Sequence, residues 1–236
     1  MAKIDKSQYT KEQWREIKEQ RRREKAEKIL QARQEELLKN DSRIAFVLGN
    51  GTSRSSIDPN DLTNLGATYG CNAIYRTFAP DYLVAVDVKM ILEINKAGYQ
   101  HKHTVWTNPN KSYTKMTNLN YFKPSKGWSS GPTALWLASQ HEYDKIFILG
   151  FDYKGLNEGK QFNNIYADTA NYKKSTDGAT FFGNWLRQTV NVIKEHPQIQ
   201  YYRVIASDNY CPEELNKFDN LETILVEDFN KMFKIS

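Results

Sequence analysis

Small polar residues follow a strand-like apolar run in this sequence, and their types suit the binding of a phosphate or a sugar. The run covers residues 44–48, and Gly49, Asn50, Gly51 and Ser53 come directly after it. Glycine permits positive φ and leaves room for a ligand close to the backbone. An α/β protein binds nucleotides at the carboxyl end of such a strand. The stretch is therefore a candidate nucleotide site.

Further polar residues follow other predicted strands or open a predicted helix. The first residues of a helix offer free backbone N–H groups, which suit a phosphate. A doubly wound sheet gathers its strand ends at one edge, so these residues are expected to converge. The further candidates for nucleotide contact are Asn72, Asp87, Ser129, Ser130, Gly131 and Asp152.

Each candidate also has an ordinary structural interpretation. Asn50 can satisfy its own turn, Ser129 or Ser130 can be only an N-cap, and Asp152 can cap a loop. The glycine turn lacks the third glycine of a dinucleotide fingerprint and the Gly-Lys-Ser/Thr of a P-loop. This argues against an ordinary dehydrogenase or P-loop NTPase.

Strand-like and helix-like runs alternate from residue 43 onward, which predicts an α/β fold. The expected architecture is a single Rossmann-like, doubly wound parallel sheet covered by helices. Asp58 and Pro59 are expected to begin a helix after the glycine turn. The other predicted elements are strands at 67–71, 82–86, 104–107, 145–149 and 201–205, helices at 89–97, 129–139 and 177–195, and a last strand and helix near the end.

The amino-terminal part carries most of the net charge. Residues 1–40 contain twelve Lys/Arg and eight Asp/Glu, which leaves 21 and 20 for residues 41–236. Residues 10–39 read as one helix that Thr10 and Gln13 open with a capping box. This basic arm could bind nucleic acid, an anionic surface or a partner, but a solvated charged helix is the favoured interpretation.

The remaining composition constrains the class of protein. The two cysteines, Cys71 and Cys211, have no metal-ligand spacing, which favours a reducing compartment. No apolar stretch approaches membrane-spanning length. The sequence therefore predicts a cytoplasmic protein with a domain at 41–236 behind a helical arm at 1–40.

Four ordered motifs resemble those of the bacterial family 42 sialyltransferases. They are Gly49–Ser53, Gly70–Tyr75, Ser129–Gly131 opening an apolar helix, and Ile148–Tyr153, while Ile165–Thr169 lies where that family places its mobile lid. The first two motifs, with Pro80-Asp81-Tyr82 and Asp87, are also similar to motility-associated flagellin glycosyltransferases and archaeal hydroxymethylpterin diphosphokinases. The resemblance spans about residues 43 to 190.

The resemblance implies a Rossmann-like domain that binds a cytidine nucleotide sugar. Asn50 and Asn72 would contact the donor, and Asp152 the ribose or base region. Tyr153 and Tyr166 would donate hydrogen bonds to the departing phosphate, so no metal cofactor is expected. The segment at about 154–176 would be a lid over the donor.

The chain departs from that family at the general base. The sialyltransferases use a lid histidine, whereas residues 154–195 contain no histidine. Asp168 or Asp177 is a carboxylate that could take this role. A solvated loop acid, or a helix N-cap in the case of Asp177, is the structural alternative.

These observations favour a glycosyltransferase-like enzyme that transfers a sugar, with sialic acid as the specific expectation, to an unidentified hydroxyl acceptor. The first alternative is diphosphate transfer, in which Asp87 would join Asp152 in holding Mg²⁺. The second is a non-catalytic protein that keeps the nucleotide fold and docks through its basic helix. Neither the acceptor nor the oligomeric state follows from the sequence.

Overall fold

The computed structural model describes residues 9–39, 43–206 and 210–235, without the side chains of residues 30 and 33–39. The chain divides into two compact units. The larger unit is Ser42–Phe229 and contains the sheet, whereas the smaller one combines the amino-terminal helix with the residues from Asn230 onward. No helix within the described ranges is long and apolar enough to cross a membrane.

The larger unit is built on one parallel sheet of eight strands, in agreement with the predicted fold class. The strands are β1 Ile44–Leu48, β2 Ala67–Cys71, β3 Tyr82–Val84, β4 Val105–Thr107, β5 Asn120–Tyr121, β6 Lys145–Leu149, β7 Gln200–Ile205 and β8 Leu221–Leu225. Their spatial order is β5-β4-β3-β2-β1-β6-β7-β8. The winding reverses between β1 and β6, where doubly wound sheets bind ligands.

Helices of the larger unit cover both faces of the sheet. The α-helices are α1 Lys11–Lys39, α2 Val88–Lys96, α3 Ser130–Ser139, α4 Gly183–Glu195 and α5 Val226–Phe233. Side chains of α3 and α4 form one core cluster with Val47 of β1 and Ile148 of β6. On the opposite face, Phe229 of α5 packs edge-on against Phe46 and Phe147. Side chains along a strand point alternately to the two faces of the sheet. Because both faces are covered, the apolar side chains of either face are buried.

The capping box predicted for α1 is present. Gln13 N–H donates to Thr10 Oγ1 at 3.2 Å, and Thr10 N–H donates to Gln13 Oε1 at 2.9 Å. The helix begins at Lys11, as the sequence predicted, and the side chains of Arg21, Arg22 and Lys25 are exposed.

Two predicted helix starts are wrong. After β1 the chain forms only short 3₁₀ turns, at Thr52–Arg54 and Pro59–Leu62. Asp58 does cap the second turn by accepting a hydrogen bond from Asn60 N–H, but the turn ends after Leu62. Helix α4 begins at Gly183, because Asp177 closes a turn by accepting a hydrogen bond from Lys174 N–H.

Candidate functional site

A cavity of about 280 Å³ lies at the reversal point of the sheet, at the carboxyl ends of β1, β2 and β6. We call it the main cavity. Loops after these strands, the start of α3 and the segment before α4 form its walls. Its lining residues are Gly49, Asn50, Gly51, Cys71, Asn72, Asp87, Ser129, Ser130, Gly131, Pro132, Gly150, Phe151, Asp152, Tyr153, Lys154, Phe162, Asn163, Asn164, Ala179, Thr180, Phe182 and Trp185.

Most of the residues that the sequence singled out therefore meet in one cavity. Ser53 instead lines a second cavity, of about 690 Å³, on the other side of Asp152. Tyr166, Asp168 and Asp177 line neither cavity. Most of the nucleotide-contact candidates thus line the main cavity, whereas Tyr153 alone of the four proposed catalytic residues does so.

The glycine turn serves first to close two loops on each other. Gly49 N–H donates to Leu149 O at 2.8 Å, and Gly51 N–H donates to Gly150 O at 2.9 Å. A Cβ on Gly51 would lie 2.5 Å from the Asp152 carboxylate carbon. Positive φ occurs at Gly150 and at neither Gly49 nor Gly51, so that part of the sequence interpretation is wrong. Glycine is therefore needed at these positions because the loop after β6, called the β6 loop here, packs against them, and not because a ligand does.

Asn50 joins three parts of the site through its side chain. Its Nδ2 donates to Cys71 O at 3.1 Å and to Tyr172 Oη at 3.3 Å. Its Oδ1 accepts from Arg54 Nη2 at 3.4 Å. Since both the Nδ2 and the Oδ1 of the amide are engaged, Asn50 shapes the wall of the cavity rather than offering a free group to a nucleotide-sugar donor.

Asn72 and Ser130 form a second bridge, across the ends of β2 and β3. Ser130 Oγ donates to Asn72 Oδ1 at 2.8 Å and accepts from Val86 N–H at 3.1 Å. Asn72 has a left-handed backbone with φ of 53°, a conformation that asparagine adopts more readily than most residues. The bridge fixes the start of α3 against the strand ends.

The first turn of α3 presents unused backbone donors to the main cavity. The first helical bond runs from Thr133 N–H to Ser129 O, and Pro132 has no N–H. The N–H groups of Ser130 and Gly131 donate to no residue in the described ranges. Ser129 is the N-cap, but its side chain makes no capping bond. This end of α3 can therefore hold an anion.

The two carboxylates in the cavity are in different environments. The Asp152 carboxylate accepts from Ser53 N–H at 3.1 Å, from Ser53 Oγ, and from Asn163 Nδ2 at 3.0 Å. Asp87 precedes α2 without making a capping bond. Within the part of the chain that the structure describes, no donor reaches its carboxylate. Asp152 therefore holds loops together, whereas Asp87 faces the cavity without a protein partner.

Aromatic rings complete the wall of the cavity between the β6 loop and α4. Phe151 packs against the Gly131 backbone, where a Cβ would lie 3.4 Å from the ring. Phe162, Phe182 and Trp185 line the same cavity. A cavity with free N–H groups and several aromatic rings suits a ligand with an anionic part and a flat apolar part.

Tyr153 does not present its hydroxyl to the main cavity. Its Oη donates to Thr189 Oγ1 at 2.7 Å, and burial raises the pKa of the phenol. Beside it, the buried Arg203 donates to Phe151 O and Tyr210 O, both at 3.0 Å. The expected role of Tyr153 in leaving-group stabilisation has no support in this geometry, because its hydroxyl is already bonded.

Tyr166 is likewise engaged elsewhere. Its hydroxyl lies 2.8 Å from Thr77 Oγ1, and the ring is buried. Tyr172 of the same segment instead bonds a residue that lines the cavity: its Oη accepts from Asn50 Nδ2, and its pKa is raised by burial. Since Tyr172 lies outside the motifs that carry the resemblance, only the fold reveals it.

The two candidate base aspartates lie on the surface. Asp168 is exposed and accepts from Ser175 N–H at 3.0 Å, and hydrogen bonding to the Ser175 side chain, followed by this backbone bond, lowers the pKa of its carboxyl. Asp177 accepts from Lys174 N–H at 2.9 Å. Both carboxylates stabilise local turns and neither lines the main cavity, so this geometry gives no support to the expected role of either as the base.

The segment 154–176, called the lid here, contacts the loop after β1, where Ile165 N–H donates to Asn50 O at 2.8 Å, and it is clamped by an arginine. Arg76 contacts both Glu93 oxygens at 2.7 Å and also donates to Thr169 Oγ1 and Ala170 O, both at 2.8 Å. Asn171 Nδ2 donates to the same Glu93 at 2.6 Å. The Arg76 guanidinium is the largest cause of the lowered pKa of Glu93, about 2.

The histidines lie away from the main cavity, and the cysteine within it is inert. His101, His103, His141 and His196 do not line it. Cys71 does, but burial raises the pKa of its thiol to about 12. No group of three or more His, Cys, Asp or Glu side chains that could hold a metal occurs among the residues that were described.

The chain was compared with known proteins. It matches no protein-family model, and neither the curated proteins nor the solved structures yielded a match to it.

Proposed function

We propose that the main cavity binds a nucleotide-activated sugar and that the chain is a glycosyltransferase-like enzyme that uses a cytidine nucleotide donor. One observation carries the proposal. The free N–H groups of Ser130 and Gly131 face a cavity at the reversal point of a doubly wound sheet, next to aromatic rings. Such a helix start binds phosphate, and the reversal point is where these sheets bind nucleotides.

The proposed binding mode follows from the free groups. The donor phosphate would accept hydrogen bonds from the N–H groups of Ser130 and Gly131 and from the Ser129 hydroxyl. The base would lie among Phe162, Phe182 and Trp185, which gives the flat ring an apolar surface. The sugar would then extend toward Asn72 and Asp87.

Charge on the departing phosphate would be stabilised by α3 rather than by phenols. Tyr153 and Tyr166 already bond Thr189 and Thr77, so neither is aimed at the cavity. Backbone donors fixed before the reaction are effective where negative charge develops, without the need for a metal. Sialic acid remains the sugar that the sequence resemblance favours.

The proposal is tested by calorimetric titration of the wild-type chain with CMP, UMP, GMP and ATP, each with and without Mg²⁺. We expect saturable binding of CMP that does not depend on the metal. Preference for another nucleotide would contradict the cytidine donor, and the absence of all binding would contradict the nucleotide site and favour a non-catalytic docking protein.

Diphosphate transfer is the second candidate, because Asp87 and Asp152 line the same cavity. In that reaction the two carboxylates would hold Mg²⁺ between the phosphates of a nucleoside triphosphate. ATP or GTP binding that requires Mg²⁺ would favour it over sugar transfer. Turnover of ATP to AMP, measured with a pterin alcohol as acceptor, would establish it.

A further inference from the structure

We infer that Asp87 is the general base of the main cavity. The inference rests on the proposed function, because it assigns the proton acceptor for transfer of a sugar from a cytidine nucleotide. Such a transfer needs a group that removes the proton from the acceptor hydroxyl as the new bond forms.

The position of Asp87 suits this role. It follows β3 and immediately precedes α2, at the carboxyl edge of the sheet where the main cavity opens. Its side chain is exposed and accepts no hydrogen bond from a described residue, although an aspartate before a helix commonly caps it. A carboxylate with free lone pairs can accept a proton from a substrate that enters the cavity.

The other basic groups are less suitable. Asp152, the second carboxylate of the cavity, is bonded to Ser53 and Asn163. Lys154 carries an ammonium, which has no lone pair to accept a proton. The four histidines, Asp168 and Asp177 do not line the cavity. Asp87 is therefore the one carboxylate of this cavity, among the described residues, that no protein donor engages.

The step conserves atoms and electrons. The proton of the acceptor hydroxyl moves to a carboxylate oxygen of Asp87, and the acceptor oxygen forms a bond to the anomeric carbon of the sugar. The bond from that carbon to the phosphate oxygen breaks, and its electron pair leaves with CMP. Asp87 then releases the proton to water.

The test uses CMP-N-acetylneuraminate as the donor and water as the acceptor, with CMP release as the measure of turnover. Asp87→Asn keeps the shape of the side chain but removes the base. We expect turnover to fall by about 10² to 10⁴-fold. The Kd for CMP should change by less than about threefold, because Asp87 acts on the reacting acceptor hydroxyl and not on the bound nucleotide. Asp61→Asn, at an exposed aspartate outside both cavities, is the matched control and should match the wild type.

The outcomes separate this inference from the proposed function. Unchanged turnover in Asp87→Asn, or a loss in Asp168→Asn or Asp177→Asn instead, would overturn the assignment and leave the nucleotide site intact. Loss of CMP binding in Asp87→Asn would show a binding residue and also overturn it. A wild-type chain that binds CMP but releases none from the donor would contradict sugar transfer and, with it, the base. A wild-type chain that does not bind CMP would contradict both proposals.

Discussion

Close packing between two loops explains why glycine occurs at Gly49 and Gly51. The Gly49 Cα faces Gly150 O and the Phe151 ring, and the Gly51 Cα faces the Asp152 carboxylate. A side chain at either position would push the β6 loop away from β1. Because both loops line the main cavity, this contact sets the shape of the candidate site.

Gly51→Ala tests this contact at a single residue. The new Cβ would lie 2.5 Å from both Cγ and Oδ2 of Asp152, so we expect the free energy of unfolding to fall by about 1–3 kcal/mol. Urea titration measures the change. Gly178→Ala is the matched control, since its Cβ would meet no atom within 4 Å, and it should leave stability unchanged or raise it by up to about 1 kcal/mol. Equal effects of the two substitutions would contradict the packing role of Gly51.

Residue types predicted the location of the site better than the role of each side chain. Asn50, Asn72, Ser130 and Asp152 were recognisable because polar residues after apolar runs converge at one edge of a parallel sheet. Their hydrogen-bond partners come from residues up to 122 positions away, as in the Asn50 to Tyr172 bond. Such partners depend on tertiary packing, and no local pattern reveals them.

At the scale of elements, the lid is held by the short turn after β2 and by α2. Arg76 of the turn Asn72–Arg76 and Glu93 of α2 form a bidentate ion pair that also bonds Thr169, Ala170 and Asn171. The pKa of Glu93 is lowered to about 2. The ion pair therefore stabilises the lid at pH values above the ordinary pKa of a carboxyl group, and this stabilisation is lost as the pH falls toward 2.

Arg76→Ala should loosen the lid without unfolding the sheet. The substitution removes bonds to Glu93, Thr169 and Ala170, so we expect amide hydrogen exchange of residues 164–176 to be faster by about 10- to 100-fold. Exchange in β1 and β6 should not change. Mass spectrometry of peptic peptides measures both regions.

A matched arginine on α4 provides the control for this experiment. Arg187 is exposed and, among the residues that the structure describes, donates only to Asn184 one turn away, so Arg187→Ala should leave lid exchange at the wild-type rate. Slow lid exchange in Arg76→Ala would show that Tyr172 and Tyr166 hold the lid without the arginine.

Element positions followed from periodicity where apolar residues are dense. The strands at 67–71 and 145–149 have the predicted bounds, because they are buried and are followed directly by Asn72 and Gly150, whose positive φ ends the extended backbone. The predicted helix after Asp58 is a short 3₁₀ turn, since capping residues start a helix but cannot extend it. The two-residue strand β5 is too short to have a detectable period.

At the scale of the whole molecule, the cavity and a tyrosine and histidine cluster lie in different parts of the larger unit. The Tyr69 hydroxyl is bonded to His141 Nδ1 and lies 3.2 Å from the Tyr143 hydroxyl. Tyr69 also stacks on Tyr82 with ring centroids 4.6 Å apart. Burial, followed by the nearby Arg43 charge, lowers the pKa of His141.

This lowered pKa makes stability depend on pH. The unfolded chain binds a proton at His141 near the ordinary value of 6.5, whereas the folded chain binds it only at lower pH. The contribution of His141 is therefore present above about pH 6.5 and decreases as the pH falls below it. We expect the urea midpoint of the wild type to fall between pH 8 and pH 5.5, and His141→Asn to show a smaller fall. Identical slopes would contradict burial of a neutral His141.

The most direct test of the nucleotide site compares two substitutions of Ser129 by CMP titration calorimetry. Asp and Asn are both favourable N-caps, so both variants should be at least as stable as the wild type. The Ser129→Asp carboxylate would compete with the phosphate for the N–H groups of Ser130 and Gly131, and we expect the Kd for CMP to rise by about tenfold or more. Ser129→Asn also lacks the serine hydroxyl but adds no negative charge, so it should bind CMP more tightly than Ser129→Asp does. Equal affinity of the two variants for CMP would contradict a phosphate at the start of α3.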